Sequence, residues 1–354
     1  QEWYAFGKSP LQIATRVACI CAEAEYVNQS DFEKFDGTIS PALRSFERLF
    51  LRAAYSDGYY AEVMPWYESG IETRGFTSFG VKYKTGTTRV SGSPETSCFN
   101  TADNAFVTYC AFRSMKIAPA EAYGRLGIYG GDDGLTSNIP SHIANTMAAR
   151  FGLRLECVTK AQGEYPVKFL ARLYGPGVWH LDGNSMCDPW RQIAKLHVTT
   201  KCVDAPLVKL LEKLRSFATS DSQTPFFAQL IATAQRLGLE VLGVAPTKEY
   251  TSYMARTAPS DGYYPNIFGD WMYKVWEESI PNWSWETFHD WVAGVVRVED
   301  LLNPPLCSDP KPPDPASVAA VVDGVSVPAA GTLHVKITHK GDRPRRRRRR
   351  AGNA

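Results

Sequence analysis

The chain has 354 residues, 44% of them hydrophobic and 12% aromatic, with a formal net charge of +2. That length exceeds what one compact domain usually holds, so a globular protein of two lobes plus tails is expected. No uninterrupted apolar stretch approaches the roughly 18 residues that a membrane span needs, so no segment is expected to cross a bilayer. Lys336, Lys340, Arg343 and Arg345 to Arg350 supply nine positive charges against Asp342 alone, leaving the first 335 residues at −6. Global charge therefore does not mark a nucleic-acid binder, and any such contact must come from local clusters, because attraction to phosphate is screened over about 10 Å.

In chain order, Gln1 to Gly7 has neither a basic start nor an apolar signal core, so no targeting peptide is expected, and the chain is expected to begin inside a longer reading frame. A short strand over residues 26–28 precedes Asp31 and Asp36 in SDFEKFDGT. In VKYKTGTTRVSG, alternation puts Lys82 and Lys84 on one strand face, just before Arg89. They read equally as the lining of a nucleic-acid or triphosphate path and as a solvated edge strand. Next come Ser91-Gly92, Thr96 and Asn100, in a polar loop that is expected to cap a helix over residues 99–112. Strand, Gly-Asp turn and strand follow over residues 125–138, around YGGDDGL. A helix is expected over residues 140–152 with Ser141 as its N-cap.

Farther on, three- and four-residue apolar spacing predicts amphipathic helices over residues 204–219 and 224–237. Trp271, Trp276, Trp283, Trp285 and Trp291 read as core filling ahead of base-stacking platforms. Six prolines between Asn303 and Pro315 mark a linker. Beyond it, a hairpin turning at Val322 to Val325 and a disordered arginine-rich tail are expected. The eight cysteines lack the paired spacing of a disulfide scaffold. Cys157, His180, Cys187, His197 and Cys202 are of zinc-ligating types and lie within one region, but their irregular spacing favours ordinary buried thiols.

Each carboxylate group has a mundane reading by itself. Asp132 and Asp133 could cap their own hairpin turn, and Asp31 and Asp36 could be a solvated strand end and an N-cap. The ordered set is more informative than its parts. Asp31 with Asp36, then Ser91-Gly92, Thr96 and Asn100, then Gly131-Asp132-Asp133 resemble motifs A, B and C of the RNA-dependent RNA polymerases of positive-strand RNA viruses, most closely those of nodaviruses. Gly152-Leu153 ahead of Lys160 is similar to motif D, and Val167 to Arg172 to motif E.

The resemblance implies an α/β right-hand polymerase. Residues 1–175 would form a palm on an antiparallel sheet, with a partial fingers insertion at about residues 41–90. Residues 176–303 would form a helical thumb, and residues 304–354 a Pro-rich linker and Arg-rich disordered tail. It also implies template-directed RNA synthesis by two-metal nucleotidyl transfer. Asp31 and Asp132 would be ligands of two Mg2+ ions, with Mn2+ as a substitute and Asp133 assisting. Lys160 would be a general acid toward pyrophosphate. Asp36, Ser91, Gly92, Thr96 and Asn100 would read the ribose 2′-hydroxyl of the ribonucleoside triphosphate.

Lys168 and Arg172 are expected to grip primer phosphates, with a solvated-surface role as the alternative, while Phe169 and Leu170 pack the motif E hairpin onto the palm. The implied partners are an RNA template and a primer or product strand, with RNA or a host factor on the Arg-rich tail. The implied location is a membrane-associated replication complex in the host cytoplasm, anchored through a region outside the chain. Family members place a basic fingers hairpin, motif F, well upstream of motif A. Only thirty residues precede Asp31, and Lys8 and Arg16 do not match motif F, so much of the fingers is expected to be missing. Two other readings are a reverse transcriptase, which would carry a bulky aromatic where Asp36 and Asn100 stand, and a non-catalytic RNA-binding protein acting through Arg345 to Arg350.

Overall fold

The structure is a computed structural model that describes residues 1–77, 80–196, 205–241, 263–280, 282–305, 320–322 and 325–327. It begins with α1 (Pro10–Ala22), whose start is fixed by a reciprocal capping box between Ser9 and Gln12 and by Pro10 in the first turn. Then come β1 (Tyr26–Phe32), the short α2 (Phe35–Thr38), α3 (Pro41–Ala54), α4 (Asp57–Ser69) and a hairpin of β2 (Arg74–Phe76) and β3 (Lys82–Lys84). The long α5 (Thr96–Ser114) and α6 (Pro119–Gly124) lead into β4 (Ile128–Gly130), β5 (Asp133–Ser137), α7 (Ser141–Arg150) and β6 (Leu155–Ala161).

These strands make an antiparallel sheet in the order β4-β5-β1-β6. Alternation along β1 serves two cores. Val27, with Ile128 and Leu135, packs against Ile13, Val17 and Cys21 of α1. Phe32 packs with Val107 and Phe112 of α5 and Met147 of α7. The sheet is thus covered on both faces while the loop ends of its central strands stay open.

A second antiparallel sheet follows, of β7 (Val167–Phe169), β8 (Arg172–Tyr174) and β9 (Ser185–Cys187). Beyond it the described chain is helical: α8 (Pro189–Leu196), α9 (Pro206–Ser220), α10 (Phe227–Arg236) and two further helices, Trp271–Ser279 and Trp285–Gly294. Leu210, Leu214, Phe226, Phe227, Trp276 and Phe288 fill a core of their own. Trp276 is wholly buried, and Trp283, Trp285 and Trp291 pack against this core, as the core reading of the tryptophans expected.

Two compact units are defined, Gln1–Pro310 and Lys311–Ala354, divided within the proline run. In the second, Ala320–Val322 pairs antiparallel with Val325–Val327 across the expected hairpin. The arginine run lies outside the described residues, as do His197 and Cys202 of the weighed zinc set. Among the described residues no helix is long and apolar enough to cross a membrane.

Two capping expectations fail. Pro140 takes the N-cap position of α7, which makes Ser141 its first helical residue. At α5, Glu95 takes the cap with no side-chain bond. The hydroxyls of the preceding loop are engaged elsewhere: Ser91 binds Asp36, and Thr96 Oγ1 donates to the Val90 carbonyl at 3.3 Å.

Candidate active site

Strand register brings the carboxylates together. Ser30 pairs with Gly134 across β1 and β5, so one step farther along Asp31 faces Asp133. Gly130 pairs with Asp133 to close the β4–β5 hairpin. The turn needs its glycine, because Gly131 has φ +71°. Asp31 and Asp132 are exposed and Asp133 is half-buried. Burial, then the charges of Asp31 and Asp132, push the Asp133 carboxyl up to about 6, while Lys168 and Arg191 pull it the other way. Asp132 is raised as well, first by burial and then by Asp31 and Asp36.

This turn is held from α5. The Thr101 hydroxyl accepts from the Gly131 amide at 2.8 Å. Asn104 Nδ2 lies 3.2, 3.0 and 3.3 Å from the carbonyls of Gly131, Asp132 and Asp133. Sequence reasoning missed both residues. Their signal was the buried polar run Thr101, Asp103 and Asn104 in a helix that is otherwise packed.

Asp36, Ser91 and Asn100 are gathered as expected. Ser91 Oγ donates to Asp36 Oδ2, and Asn100 Nδ2 donates to Asp36 Oδ1 at 2.7 Å. Gly92 sits beside them with φ +93°, a backbone state that other residues rarely adopt. Asp36, Ser91, Thr96, Asn100, Gly131 and Asp132 line one cleft of about 690 Å³, which joins the expected sugar sensor to the carboxylate turn. A second, apolar cavity of about 660 Å³ among Trp3, Phe46, Phe50, Phe106 and Tyr123 lies apart from these residues.

The basic residues divide. Lys168 is half-exposed, pairs with Asp188 at 3.1 Å, and is one of the two cations that act on Asp133. Arg191, the other, was not anticipated. Lys82 and Lys84 lie exposed on the β2–β3 hairpin, the edge-strand alternative. Lys160 stands on β6 opposite Val27, four positions from the Glu156 that faces Asp31, or roughly 13 Å along the strand. The structure therefore does not bring it to the carboxylates.

Two expectations of RNA contact are overturned. Arg89 is only 4% exposed, and its guanidinium meets Glu47, Asp103 and Asn100. Arg172 is 5% exposed, with Nη1 at 2.8 and 2.9 Å from the two Asp221 oxygens and its guanidinium over the Tyr264 ring. Both guanidiniums are buried and paired with acids, so neither is presented to an RNA phosphate. Phe169 does pack into the core between the first sheet and α1, and Leu170 lies against Gly130, where a Cβ would come within 2.9 Å of it.

The described chain is thus a covered antiparallel sheet followed by a second sheet and a helical region. The chain shares this fold with the RNA-dependent RNA polymerase of a human picobirnavirus in its insertion-loop deletion form, at a TM-score of 0.54 and 15% identity, over 75% of this chain and 53% of that one. By sequence it is similar to the RNA-directed RNA polymerases of nodaviruses. It is 31% identical to that of Pariacoto virus over 260 residues (71% of this chain, 26% of the relative). It is also 31% identical to that of greasy grouper nervous necrosis virus over 237 residues (66% and 24%), and 27% identical to that of Flock house virus over 278 residues (77% and 27%). The chain thus spans about a quarter of the length of the curated relatives it matches. No protein-family model matches it.

Proposed function

We propose that this chain carries the catalytic palm of an RNA-directed RNA polymerase, which extends an RNA strand on an RNA template from ribonucleoside triphosphates. Residues 1–175 are assigned to the palm with a partial fingers insertion at about residues 41–90, and residues 176–303 to the thumb. The observation that carries the reading is the single cleft that joins Asp132 to Asp36, Ser91 and Asn100.

Asp31 and Asp132 are the proposed metal ligands, with Asp133 in support. Their hard oxygen donors suit magnesium, and burial followed by the charges of Asp31 and Asp132 raises the Asp133 carboxyl, a penalty that a bound cation would offset. Among the described residues no three such side chains are already gathered in a ligating cluster. When bound, two Mg2+ ions, or Mn2+ in their place, would supply the charge that activates the primer 3′-hydroxyl and neutralises departing pyrophosphate. Asp36 and Asn100 read the sugar. After its bond to Asp36, Asn100 Nδ2 keeps a second proton to donate, and Asp36 keeps lone pairs to accept, which matches a 2′-hydroxyl that both accepts and donates. Lys168 and Arg191 favour an anionic backbone near Asp133. Lys160 acts as general acid only if β6 and its following loop shift toward the site. Action at membrane-associated replication complexes in the host cytoplasm, and RNA contact by the Arg-rich tail, are proposed from the resemblance alone.

Primer extension on a short RNA template tests this reading. Asp132→Ala is expected to lower synthesis by at least on the order of a hundredfold; undiminished synthesis would refute the metal assignment. Asn100→Ala is expected to narrow the preference for ribonucleotides over 2′-deoxyribonucleotides roughly tenfold, and an unchanged ratio would refute the sugar sensor.

A further inference from the structure

We infer that Arg89 is a positioning residue for ribose selection: it sets the orientation of the Asn100 amide and holds the Asp36 backbone, so both halves of the sugar sensor hang on one buried guanidinium. The inference rests on the polymerase reading above and adds a residue that never touches the nucleotide.

Four contacts carry it. The Arg89 backbone amide donates to the Asp36 carbonyl at 2.8 Å. Its Nε donates to Asn100 Oδ1 at 2.6 Å. Its Nη2 meets Glu47 Oε1 and, at 3.2 Å, Asp103 Oδ2. An asparagine amide can face either way, and its neighbours decide which. A guanidinium only donates, so Asn100 must turn its carbonyl oxygen to Arg89, which leaves Nδ2 aimed at Asp36. The opposite orientation would set the amide NH2 against Arg89 and its oxygen against the Asp36 carboxylate, repulsive on both sides. The sensor's polarity is therefore written in Arg89.

Arg89 is in turn fixed from behind the site. Its side chain and those of Glu47 and Asp103 are fully buried. Arg44 Nη1 binds Glu47 Oε2 at 2.9 Å, and the Tyr67 hydroxyl donates to the same oxygen at 2.5 Å. Burial opposes charge on Glu47, but Arg89 and then Arg44 outweigh it and hold its carboxyl below the usual range. Such a network spans α3, the loop before α5, and α5 itself, and a planar fork suits it where a lysine point charge would not. Glu47 and Arg44 do not line the cleft; Glu47 is linked to it by its contact with Arg89, whereas Arg44 also holds the Thr87 and Thr88 carbonyls of the loop that carries Arg89 and Ser91.

The test is steady-state single-nucleotide extension by the polymerase with a ribonucleoside triphosphate and its 2′-deoxy counterpart, for Arg89→Lys, Asn100→Ala and the double variant, with thermal melting alongside. Arg89→Lys is expected to raise KM for the ribonucleotide about tenfold with KM for the deoxynucleotide unchanged, and the double variant to discriminate no worse than Asn100→Ala alone. Should Arg89→Lys not fold, Glu47→Gln, which keeps the buried volume, is expected to shift the same ratio in the same direction by a smaller factor. Equal losses on both substrates, or additive losses in the double variant, would overturn the inference and leave Arg89 a purely structural ion pair. Absence of synthesis, or of any sugar preference, in the unmodified protein extended upstream to restore the fingers would instead overturn the polymerase reading.

Discussion

Burial and the charges of Asp31 and Asp132 hold the Asp133 carboxyl at about 6, well above the ordinary aspartate value of about 4. A folded-state pKa raised in this way contributes stability that is fully present below about pH 4 and lost as pH rises through about 6. Metal-free protein should therefore lose melting temperature across that window more steeply than Asp133→Asn does. Millimolar Mg2+ at pH 7 should recover much of the difference, because a cation compensates the charge that the fold penalises. Differential scanning fluorimetry at pH 4.5 and 7, with and without Mg2+, reads this directly; identical pH profiles for the two proteins would contradict it. Residue type alone was an unreliable guide to the charged groups. Asp36 and Asp132 line one cleft, and Asp31 and Asp132 both act on Asp133, but Arg89 and Arg172 are each paired with buried acids, Glu47 and Asp103 for one and Asp221 for the other. A sequence names a charge without naming its partner, and the partners here lie 42, 14 and 49 positions away.

At the level of elements, α5 does more than its pattern announced. One end meets Asp36 through Asn100, while Thr101, the next residue, and Asn104, a turn on, grip the Gly131-Asp132-Asp133 turn; Asn104 stands three and four positions from the other two, which keeps it beside both on the helix surface. Asn104→Ala leaves the turn carbonyls without their shared donor and should cost about 1–3 kcal/mol of stability. RNA synthesis should fall further than that loss explains, because the turn positions Asp132. Urea denaturation together with primer extension checks both; a variant of reduced stability but full activity would show that the clamp serves the fold alone. The existence of α5 and of the hairpin was readable from apolar spacing and glycine placement. Their contact was not, because a hydrogen bond between elements some thirty residues apart leaves no local periodicity.

For the molecule as a whole, the sheet region and the helical region keep separate cores, tied by the packing of Leu173 and Met186 on Met272 and Val275 and by the buried Asp221. It receives Arg172 of β8, the Cys187 amide at 2.8 Å at the end of β9, and the Thr224 hydroxyl at 3.0 Å between α9 and α10. Removing one partner of a buried pair leaves a charge uncompensated, so Asp221→Ala should destabilise by about 3–5 kcal/mol. Asp221→Asn, which keeps acceptor shape, should cost less. Equilibrium urea unfolding measures both, and an Asp221→Ala variant as stable as the unmodified protein would mean the two regions are joined by packing alone.

The sequence by itself determined the alternation of strands, turns and helices, the antiparallel character of the sheet, the helical region that follows, and the order in which the site's carboxylates, serine and asparagine occur. Those features depend on spacing along one chain, which local physics fixes: side-chain period, turn chemistry and apolar patterning. Tertiary structure alone decided which arginines are internal struts, that Asn104 and Thr101 hold the Gly131-Asp132-Asp133 turn, and that Lys160 stands four strand positions from the level of Asp31. Each of these depends on register and on distant partners, and a buried polar group takes its role from the group that satisfies it.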